Sequence, residues 1–127
     1  MTNNFKDINP ATYKALLDSD LEGPVQMINL LKFKDKVEGK NKSGKEQYDE
    51  YMKAAYPFFK ESKAKIIYDG VAQWALIGPE EKEWDKILII EYASKTNFIT
   101  MITKEGYPAE MRKAALENSR LILSKSK

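Results

Sequence analysis

Residues 24–33, PVQMINLLKF, decide the fold together with residues 86–92, KILIIEY. Both runs are rich in Ile, Leu, Val and Met, which predicts two β-strands. A strand with one face in water alternates between apolar and polar residues. The first run does not, because Met27 points to one side of the strand while Ile28 and Leu30 point to the other. Both sides of the predicted sheet therefore have to be covered.

The rest of the chain supplies the elements that complete this sheet. Asn9 before Pro10 is typical of a helix start, and Gly106 of a helix end. Apolar side chains recur every three or four residues in the longest predicted helix. The predicted elements are a helix from Pro10 to Asp18, a strand from Pro24 to Phe33, a helix from Gly44 to about Ser62, a strand from Ala64 to Ile77 with a bulge or bend at Gly70, a strand from Lys86 to Tyr92, a helix from Ser94 to about Lys104, a short helix opening at Pro108, and a strand from Arg120 to Leu123.

After the first helix, the order of elements is β-α-β-β-α-β. This is the order of the ferredoxin-like α+β fold, in which helices cover one face of a single antiparallel sheet. No predicted element remains to cover the other apolar face, so a second copy of the sheet is expected there, in a homodimer. We expect a single domain over residues 1–127, with its core at 24–123, an N-terminal helix and turn at 1–23, and a loose tail at 124–127.

The composition excludes several classes of function. The 127 residues include 21 Lys and Arg against 19 Asp and Glu, and a net charge of +2 gives no strong field for nucleic acid or a membrane. Without Cys or His, the chain has no thiolate nucleophile, Ser-His-Asp triad or histidine-bound haem. We expect no metal and no cofactor, and acid–base chemistry from Asp, Glu, Tyr or Lys. The polar N-terminus, residues 1–8, is unlike a signal peptide, which predicts a cytoplasmic protein.

Three loops approach ligand-binding motifs without matching them. Residues 39–46, GKNKSGKE, nearly fit the phosphate-binding pattern G-x-x-x-x-G-K-[ST], but Glu46 replaces the hydroxyl that binds Mg²⁺. Residues 18–29 begin like a calcium loop, but Asn29 stands where a bidentate Glu is required. Residues 32–45 are rich in lysine, as in a nucleic-acid contact, yet aromatic residues are not interleaved with the lysines. All three are interpreted as ordinary loops and turns.

Several short motifs are spread over residues 24–123. They are Met27-Ile28-Asn29-Leu30-Leu31-Lys32-Phe33, Tyr48-x-x-Tyr51, Gly78-Pro79-Glu80 leading to Trp84-Asp85, Glu91-Tyr92-Ala93-Ser94, and Tyr107 followed by Arg112. Together they resemble the dimeric α+β-barrel superfamily, and more closely its small branch known as a domain of unknown function. The branch usually has Tyr-Pro-Ser where this chain has Tyr92-Ala93-Ser94, which is a minor departure.

This resemblance implies a ferredoxin-like dimeric α+β barrel, with ligands bound between the sheet and the helices or loops. The superfamily includes cofactor-free monooxygenases, muconolactone-type isomerases, haem-using enzymes and amino-acid-binding regulatory domains, so membership alone implies no function. Its haem-dependent members rely on a histidine that this chain lacks. The resemblance implies no particular catalytic residue.

Polar side chains within the apolar strands are the first candidates for a ligand pocket. Asn29 lies in the middle of its strand among apolar residues and is a candidate ligand-binding residue. Glu91 shares a strand face with Ile87 and Ile89, and a carboxylate desolvated there would have a raised pKa suited to a catalytic base. The alternative is that Glu91, one residue from the strand end, reaches water or pairs with Lys or Arg.

The remaining candidates are aromatic residues and one arginine. Tyr48 is a candidate catalytic proton donor and Tyr51 a candidate ligand-binding residue, because their rings are expected in the core and their hydroxyls at its rim. Trp74 and Trp84 are candidates for stacking on a flat ligand, with a core position or a cap on the barrel end as the alternative. Arg112 is a candidate clamp for a carboxylate ligand, with an ion pair as the alternative.

Two functions remain open from the sequence. The first is a small-molecule-binding dimer that acts as a cofactor-free enzyme, by proton abstraction or oxygenation of a small carbonyl or aromatic compound. The second is a non-catalytic ligand-binding or regulatory module, which the absence of histidine and of a compact acid–base set favours. Both functions require a small-molecule pocket, and neither involves nucleic acid or a membrane.

Overall fold

The structure, a computed structural model, describes residues 4–127. Of the polar N-terminus at 1–8, residues 1–3 lie outside the described part. In chain order the elements are α1 (Pro10–Asp18), β1 (Val25–Phe33), α2 (Gly44–Glu61), β2 (Lys65–Val71), β3 (Lys86–Tyr92), α3 (Lys95–Thr103), α4 (Ala109–Ala115) and β4 (Leu116–Ser124). Within the described residues, every helix is too short or too polar to cross a bilayer.

Side-chain caps start the first two helices. The Asn9 side-chain oxygen accepts hydrogen bonds from the backbone N–H groups of Ala11 and Thr12, at 2.9 and 3.2 Å. At the start of α2, Ser43 Oγ accepts from the Glu46 N–H, and the Glu46 carboxylate accepts from the Ser43 N–H. The bond from the Ser43 backbone holds the pKa of Glu46 below its usual value. The residue that breaks the phosphate-binding pattern is thus a helix cap.

The four strands form one antiparallel sheet in the order β2-β3-β1-β4. In the centre of the sheet, Met27 of β1 lies opposite Ile90 of β3 on one side and Leu123 of β4 on the other. The helices α2, α3 and α4 contribute buried side chains to the core on one face. This strand order with helices on one face confirms the predicted ferredoxin-like α+β fold.

The covered face of the sheet holds the hydrophobic core. Along β1, Val25, Met27, Asn29 and Leu31 are buried, and the residues between them are half-buried. This alternation follows from the pleat of a strand, which sends successive side chains to opposite faces. The core residues that the helices pack against this face are Tyr48, Tyr51, Ala55, Phe98, Met101 and Ala115.

The open face of the sheet is also apolar. One row of registered neighbours crosses all four strands on this face, namely Tyr68, Ile89, Ile28 and Ile122. Tyr68 and Ile122 are 51% and 47% exposed. Within residues 4–127 this row is not fully covered, although the central strands are apolar on both faces.

The second strand is shorter than predicted. β2 ends at Val71 rather than Ile77, because residues 72–85 leave the sheet as a loop that a hydrogen bond from Ala72 to Asp85 closes. The irregularity in its pairing lies between Ile66 and Tyr68 rather than at Gly70. Gly70 instead gives space to the Tyr68 ring, which a Cβ atom at this position would overlap.

The last strand is longer than predicted. β4 begins at Leu116, directly after α4, whereas the sequence indicated a start at Arg120. It also includes Ser124, which had been assigned to a loose tail. Beyond it, the Ser126 N–H donates to the Gln26 side-chain oxygen at 3.1 Å, so the segment after β4 stays bonded to β1.

Candidate functional site

A cavity of 270 Å³ lies on the covered face of the sheet, among β1, β3, α2, α3 and α4. Part of its wall is apolar, with Met27, Phe98 and Met101 among the lining residues. Six polar or aromatic residues give it its chemistry, and we call them the tyrosine–arginine pocket: Asn29, Tyr48, Tyr51, Tyr92, Tyr107 and Arg112.

Local structure explains why these residues converge. Tyr48 and Tyr51 are three residues apart on α2 and therefore share one helix face. Asn29 lies on the covered face of β1, and Tyr92 ends the covered face of β3. Arg112 comes from α4, which packs beside α2. One sheet and two neighbouring helices thus fix the positions of the polar groups.

Arg112 is held by a neutral partner. Its Nη2 atom donates to Asn29 Oδ1 at 2.9 Å, and Asn29 Nδ2 donates to the Leu88 carbonyl at 3.1 Å. Both ends of this amide, which is 5% exposed, are therefore satisfied inside the protein. Within residues 4–127, no carboxylate oxygen comes within 4.0 Å of the guanidinium. Its positive charge is oriented by an amide but not compensated by an acid.

The four tyrosine hydroxyls remain protonated at neutral pH. Burial raises the pKa of Tyr48, Tyr51, Tyr92 and Tyr107, and the positive charge of Arg112 opposes this effect without cancelling it. The hydroxyls of Tyr51 and Tyr107 also share a short hydrogen bond, and their rings meet edge to face with centroids 6.2 Å apart. A protonated phenol can donate and accept hydrogen bonds, but it is not a base at neutral pH.

The pocket consequently offers N–H and O–H donors to a ligand oxygen. A metal ion would require a cluster of acidic ligands instead, and no group of three or more Asp or Glu side chains that could hold one occurs within residues 4–127. Donors that line one cavity suit the recognition of a carbonyl or carboxylate oxygen.

A second cavity, of 520 Å³, adjoins the first beneath α1. The two cavities share lining residues, among them Met27, Phe98 and Arg112. The surface of the second is mainly apolar and includes Leu16, Leu21, Leu121 and Leu123, with Arg120 also at its wall. Arg112 therefore stands at the junction of a polar cavity and an apolar one.

The N-terminal segment forms the outer wall of both cavities and is attached by polar contacts. The Phe5 N–H donates to Asn118 Oδ1 at 2.9 Å, and Ser119 Oγ donates to the Phe5 carbonyl at 2.6 Å. Asp7 pairs with Lys113 at 2.8 Å. Helix α1 has no buried residue. Nothing in the sequence pattern indicated that this segment borders the site.

Glu91 lies away from the tyrosines. It projects from the open face of the sheet, opposite Gln26, whose Nε2 atom donates to its carboxylate at 2.7 Å. The sequence placed Glu91 correctly with Ile87 and Ile89, but those residues face away from the helices. The structure therefore does not bring Glu91 together with Tyr48, as the proton-abstraction hypothesis required.

The two tryptophans also lie outside the pocket. Trp74 is 87% exposed and belongs to the loop at 72–85 rather than to a strand. Trp84 is half-buried, and the Arg120 guanidinium lies 5.2 Å from the centre of its ring. Neither side chain lines the two cavities.

Two pocket residues, Tyr92 and Tyr107, were not among the sequence candidates. Tyr92 continues the alternation of Leu88 and Ile90, so its position on their face could have been read from the strand. Tyr107 lies in the connection between α3 and α4, and its nearness to Tyr51 depends on tertiary packing that has no local signal.

Comparison with known proteins gives matches to solved structures. No protein-family model matches the chain, and no curated protein matches it. A crystal structure of RPA0582, a protein of unknown function from Rhodopseudomonas palustris, is similar with 31% identity, coverage of 98% of each chain and a TM-score of 0.91. The methylated RPA0582 protein gives 30% identity, coverage of 99% of this chain and 97% of that chain, and a TM-score of 0.92.

A more distant match is SnoaB, described as a cofactor-independent oxygenase from Streptomyces nogalater. It has 12% identity and a TM-score of 0.50, over 83% of this chain and 94% of that chain. Likeness at this identity shows the fold alone, and it agrees with the open four-stranded α+β arrangement.

Proposed function

We propose that this chain, which belongs to the same family as the RPA0582 protein, binds a small molecule in the tyrosine–arginine pocket. The supporting observation is the half-buried guanidinium of Arg112, which faces a cavity with an amide rather than an acid as its partner. Removing a charge from water without an opposite charge costs stability. A protein that keeps such a charge beside four protonated hydroxyls is organised to bind a ligand there.

Thermal unfolding against a panel of small carbonyl, carboxylate and aromatic compounds tests this proposal. A ligand at 100 times its Kd adds about 2.7 kcal/mol to the free energy of unfolding, which raises the Tm by several degrees. Native mass spectrometry of freshly purified protein would show any ligand that is retained from the host.

The matched variants are Arg112→Met and Lys104→Met, which each remove one positive charge. Lys104 lies beside Glu61 at the surface, outside the pocket. We expect Arg112→Met to abolish the stabilisation and Lys104→Met to retain it. A panel without a stabilising compound, or equal stabilisation of both variants, would contradict the proposal.

The homodimer is the second part of the proposal, and the open face of the sheet supports it. A row of four apolar side chains crosses that face, and soluble monomers seldom leave such contiguous patches in water. A second copy of the same face is self-complementary under two-fold symmetry. Pairing two sheets in this way would form the α+β barrel that the sequence resemblance implies.

Sedimentation velocity tests the dimer. Ile122 on the open face and Leu17 on α1 are 47% and 48% exposed. A lysine at either position should therefore change the free energy of unfolding of an isolated chain by a similar amount. Ile122→Lys should convert the dimer to a monomer because it buries a charge between the sheets, whereas Leu17→Lys should leave the dimer intact. A wild-type monomer at micromolar concentration would overturn this part of the proposal.

A cofactor-free enzyme is the second candidate function, and the donors of the pocket favour it. When a base removes a proton next to a carbonyl, the electron pair of the C–H bond forms the C=C bond of an enolate, and the π pair of the carbonyl moves onto its oxygen. Arg112 and the hydroxyl of Tyr48 would hydrogen-bond that oxygen as its charge develops. Asp7 and Glu110 also line the cavity, and because Asp7 is paired with Lys113, Glu110 is the carboxylate proposed to take the proton.

Deuterium exchange into simple ketones and keto acids, followed by NMR, tests this chemistry without a known substrate. We expect exchange above the buffer rate, with Glu110→Gln abolishing it and Glu91→Gln leaving it unchanged. The opposite pattern would assign the base to Glu91 on the other face of the sheet. If stabilising compounds bind but none exchanges deuterium, the protein is a non-catalytic binding module. The binding proposal itself does not depend on this result.

A further inference from the structure

The charged side chains that line the tyrosine–arginine pocket have a net positive charge. Lys6, Lys113 and Arg112 face two carboxylates, Asp7 and Glu110. Lys113 and Asp7 neutralise each other at 2.8 Å. The remaining balance favours an anion, and Arg112 is the cation that the fold orients through a hydrogen bond.

The hydroxyls add donors beside this cation. In the bond between Tyr51 and Tyr107 one hydroxyl hydrogen is used, so the hydroxyl that accepts still has its own hydrogen to donate. The Asn29 oxygen is already occupied by Arg112, and Asp7 is paired with Lys113, so Glu110 is the carboxylate that remains on this wall among residues 4–127. Because Lys6 and Arg112 outweigh that one carboxylate, the wall favours an oxyanion over an ammonium group.

The neighbouring cavity is more apolar. Its volume of 520 Å³ falls within the range of roughly 300–1,000 Å³ that is usual for small-molecule sites, and apolar surface dominates its wall, although Lys6 and Arg120 also border it. Leu121 lines both cavities from the covered side of β4, opposite Asn29. A ligand that is charged at one end and apolar at the other therefore matches the two cavities together.

We infer that the site takes a small amphipathic carboxylic acid, with its carboxylate at Arg112 and its apolar body in the cavity beneath α1. This inference rests on the proposed binding function and names the ligand class for it. The carboxylate would supply the counter-charge that Arg112 lacks among residues 4–127. A neutral ligand of the same shape would leave that charge uncompensated.

Isothermal titration calorimetry with butanoate, hexanoate, octanoate and 1-octanol tests both ends of the ligand on the wild-type protein. Each buried methylene contributes about 0.8 kcal/mol, so Kd should fall roughly fourfold per added methylene. Octanoate should bind about 12- to 140-fold more tightly than 1-octanol, because a hydrogen bond to a charged group is worth about 1.5–3 kcal/mol. This comparison needs no variant and is therefore independent of any folding defect.

Three variants locate the ligand. Arg112→Met should remove the preference for octanoate over 1-octanol, and Arg112→Lys should restore part of it. Leu121→Asn should flatten the dependence on chain length while the carboxylate preference stays. Lys104→Met should behave as wild type.

Each alternative result has a defined meaning. Equal Kd values for octanoate and 1-octanol would contradict the proposed carboxylate of the ligand. A Kd that does not depend on chain length would contradict its proposed apolar body. If neutral compounds stabilise the protein through Arg112 while no carboxylate binds, the ligand class is wrong and the proposed binding function stands. If no compound of any class stabilises the protein, the binding function fails as well.

Discussion

Alkaline pH is expected to unfold this protein steeply, because four buried tyrosines resist ionisation in the folded state. Burial raises the pKa of Tyr48, Tyr51, Tyr92 and Tyr107 above the ordinary value of 10.0. Below pH 10 both the folded and the unfolded chain keep these protons, and stability does not depend on them. Above pH 10 the unfolded chain releases protons that the folded chain retains, so the free energy of unfolding falls as pH rises.

The magnitude follows from the number of groups. Each proton that the folded chain retains lowers the free energy of unfolding by about 1.4 kcal/mol per pH unit, so the slope reaches at most about 5 kcal/mol per unit, when all four are retained. A domain of this size is usually stable by about 5–15 kcal/mol. Unfolding should therefore be complete within about one to three pH units above pH 10.

Tyrosinate absorbance and circular dichroism, recorded on the same samples, provide the assay. Of the seven tyrosines, the four in the pocket should ionise together with the loss of helical signal. The urea-unfolded chain is the control, and all seven should ionise there in one step. Tyr48→Phe should reduce the steepness of alkaline unfolding by about a quarter. If all seven tyrosines ionise while the helical signal persists, the pocket hydroxyls do not stay protonated in the folded protein, and the reasoning is refuted.

Four further substitutions test the packing around the site by urea unfolding. Tyr51→Phe and Tyr107→Phe should each lower the free energy of unfolding by about 1–3 kcal/mol, because each leaves the other hydroxyl without its partner. The double variant should lower it by less than the sum of the two single variants. Additive losses would show that the hydroxyls are not coupled. Ser43→Ala should cost about 1 kcal/mol through loss of the α2 cap, and a neutral result would exclude a stabilising role for that cap. Gly44→Ala should cost about 1–3 kcal/mol or more, because its Cβ would overlap the Ala115 carbonyl, and wild-type stability would show that the backbone can move apart there.

The fold was readable from the sequence because its signals are local. The apolar runs of β1 and β3, the capped helices and the order of elements each leave a short pattern, and these patterns agree with one another. The end of β2 could not be predicted, because the alternation of apolar and polar residues continues to Ile77, beyond the last residue that pairs with β3. β3 begins at Lys86, opposite Val71, so the residues that follow Val71 have no strand to pair with.

The positions of the site residues could be predicted in part, and the position of Glu91 could not, for a physical reason. Asn29, Tyr48, Tyr51 and Arg112 do meet at one cavity. Because β3 is apolar on both faces, its sequence does not say which face meets the helices, and the choice reverses the direction of every side chain. Glu91 thus lies on the open face, and its neighbour Tyr92 lies in the pocket.

The two proposed roles of the sheet are carried by the same central strand, and alternation keeps them separate. Along β1, Met27 and Asn29 face the pocket, while Ile28 and Leu30 face the open side where a second copy is proposed to bind. Since the faces share a backbone but not side chains, a substitution can remove one role and spare the other. Because both faces are apolar, the sequence does not say which side chains point toward the helices. The same apolar character is what a sheet requires when helices and a ligand pack on one face and a second copy is proposed to pack on the other.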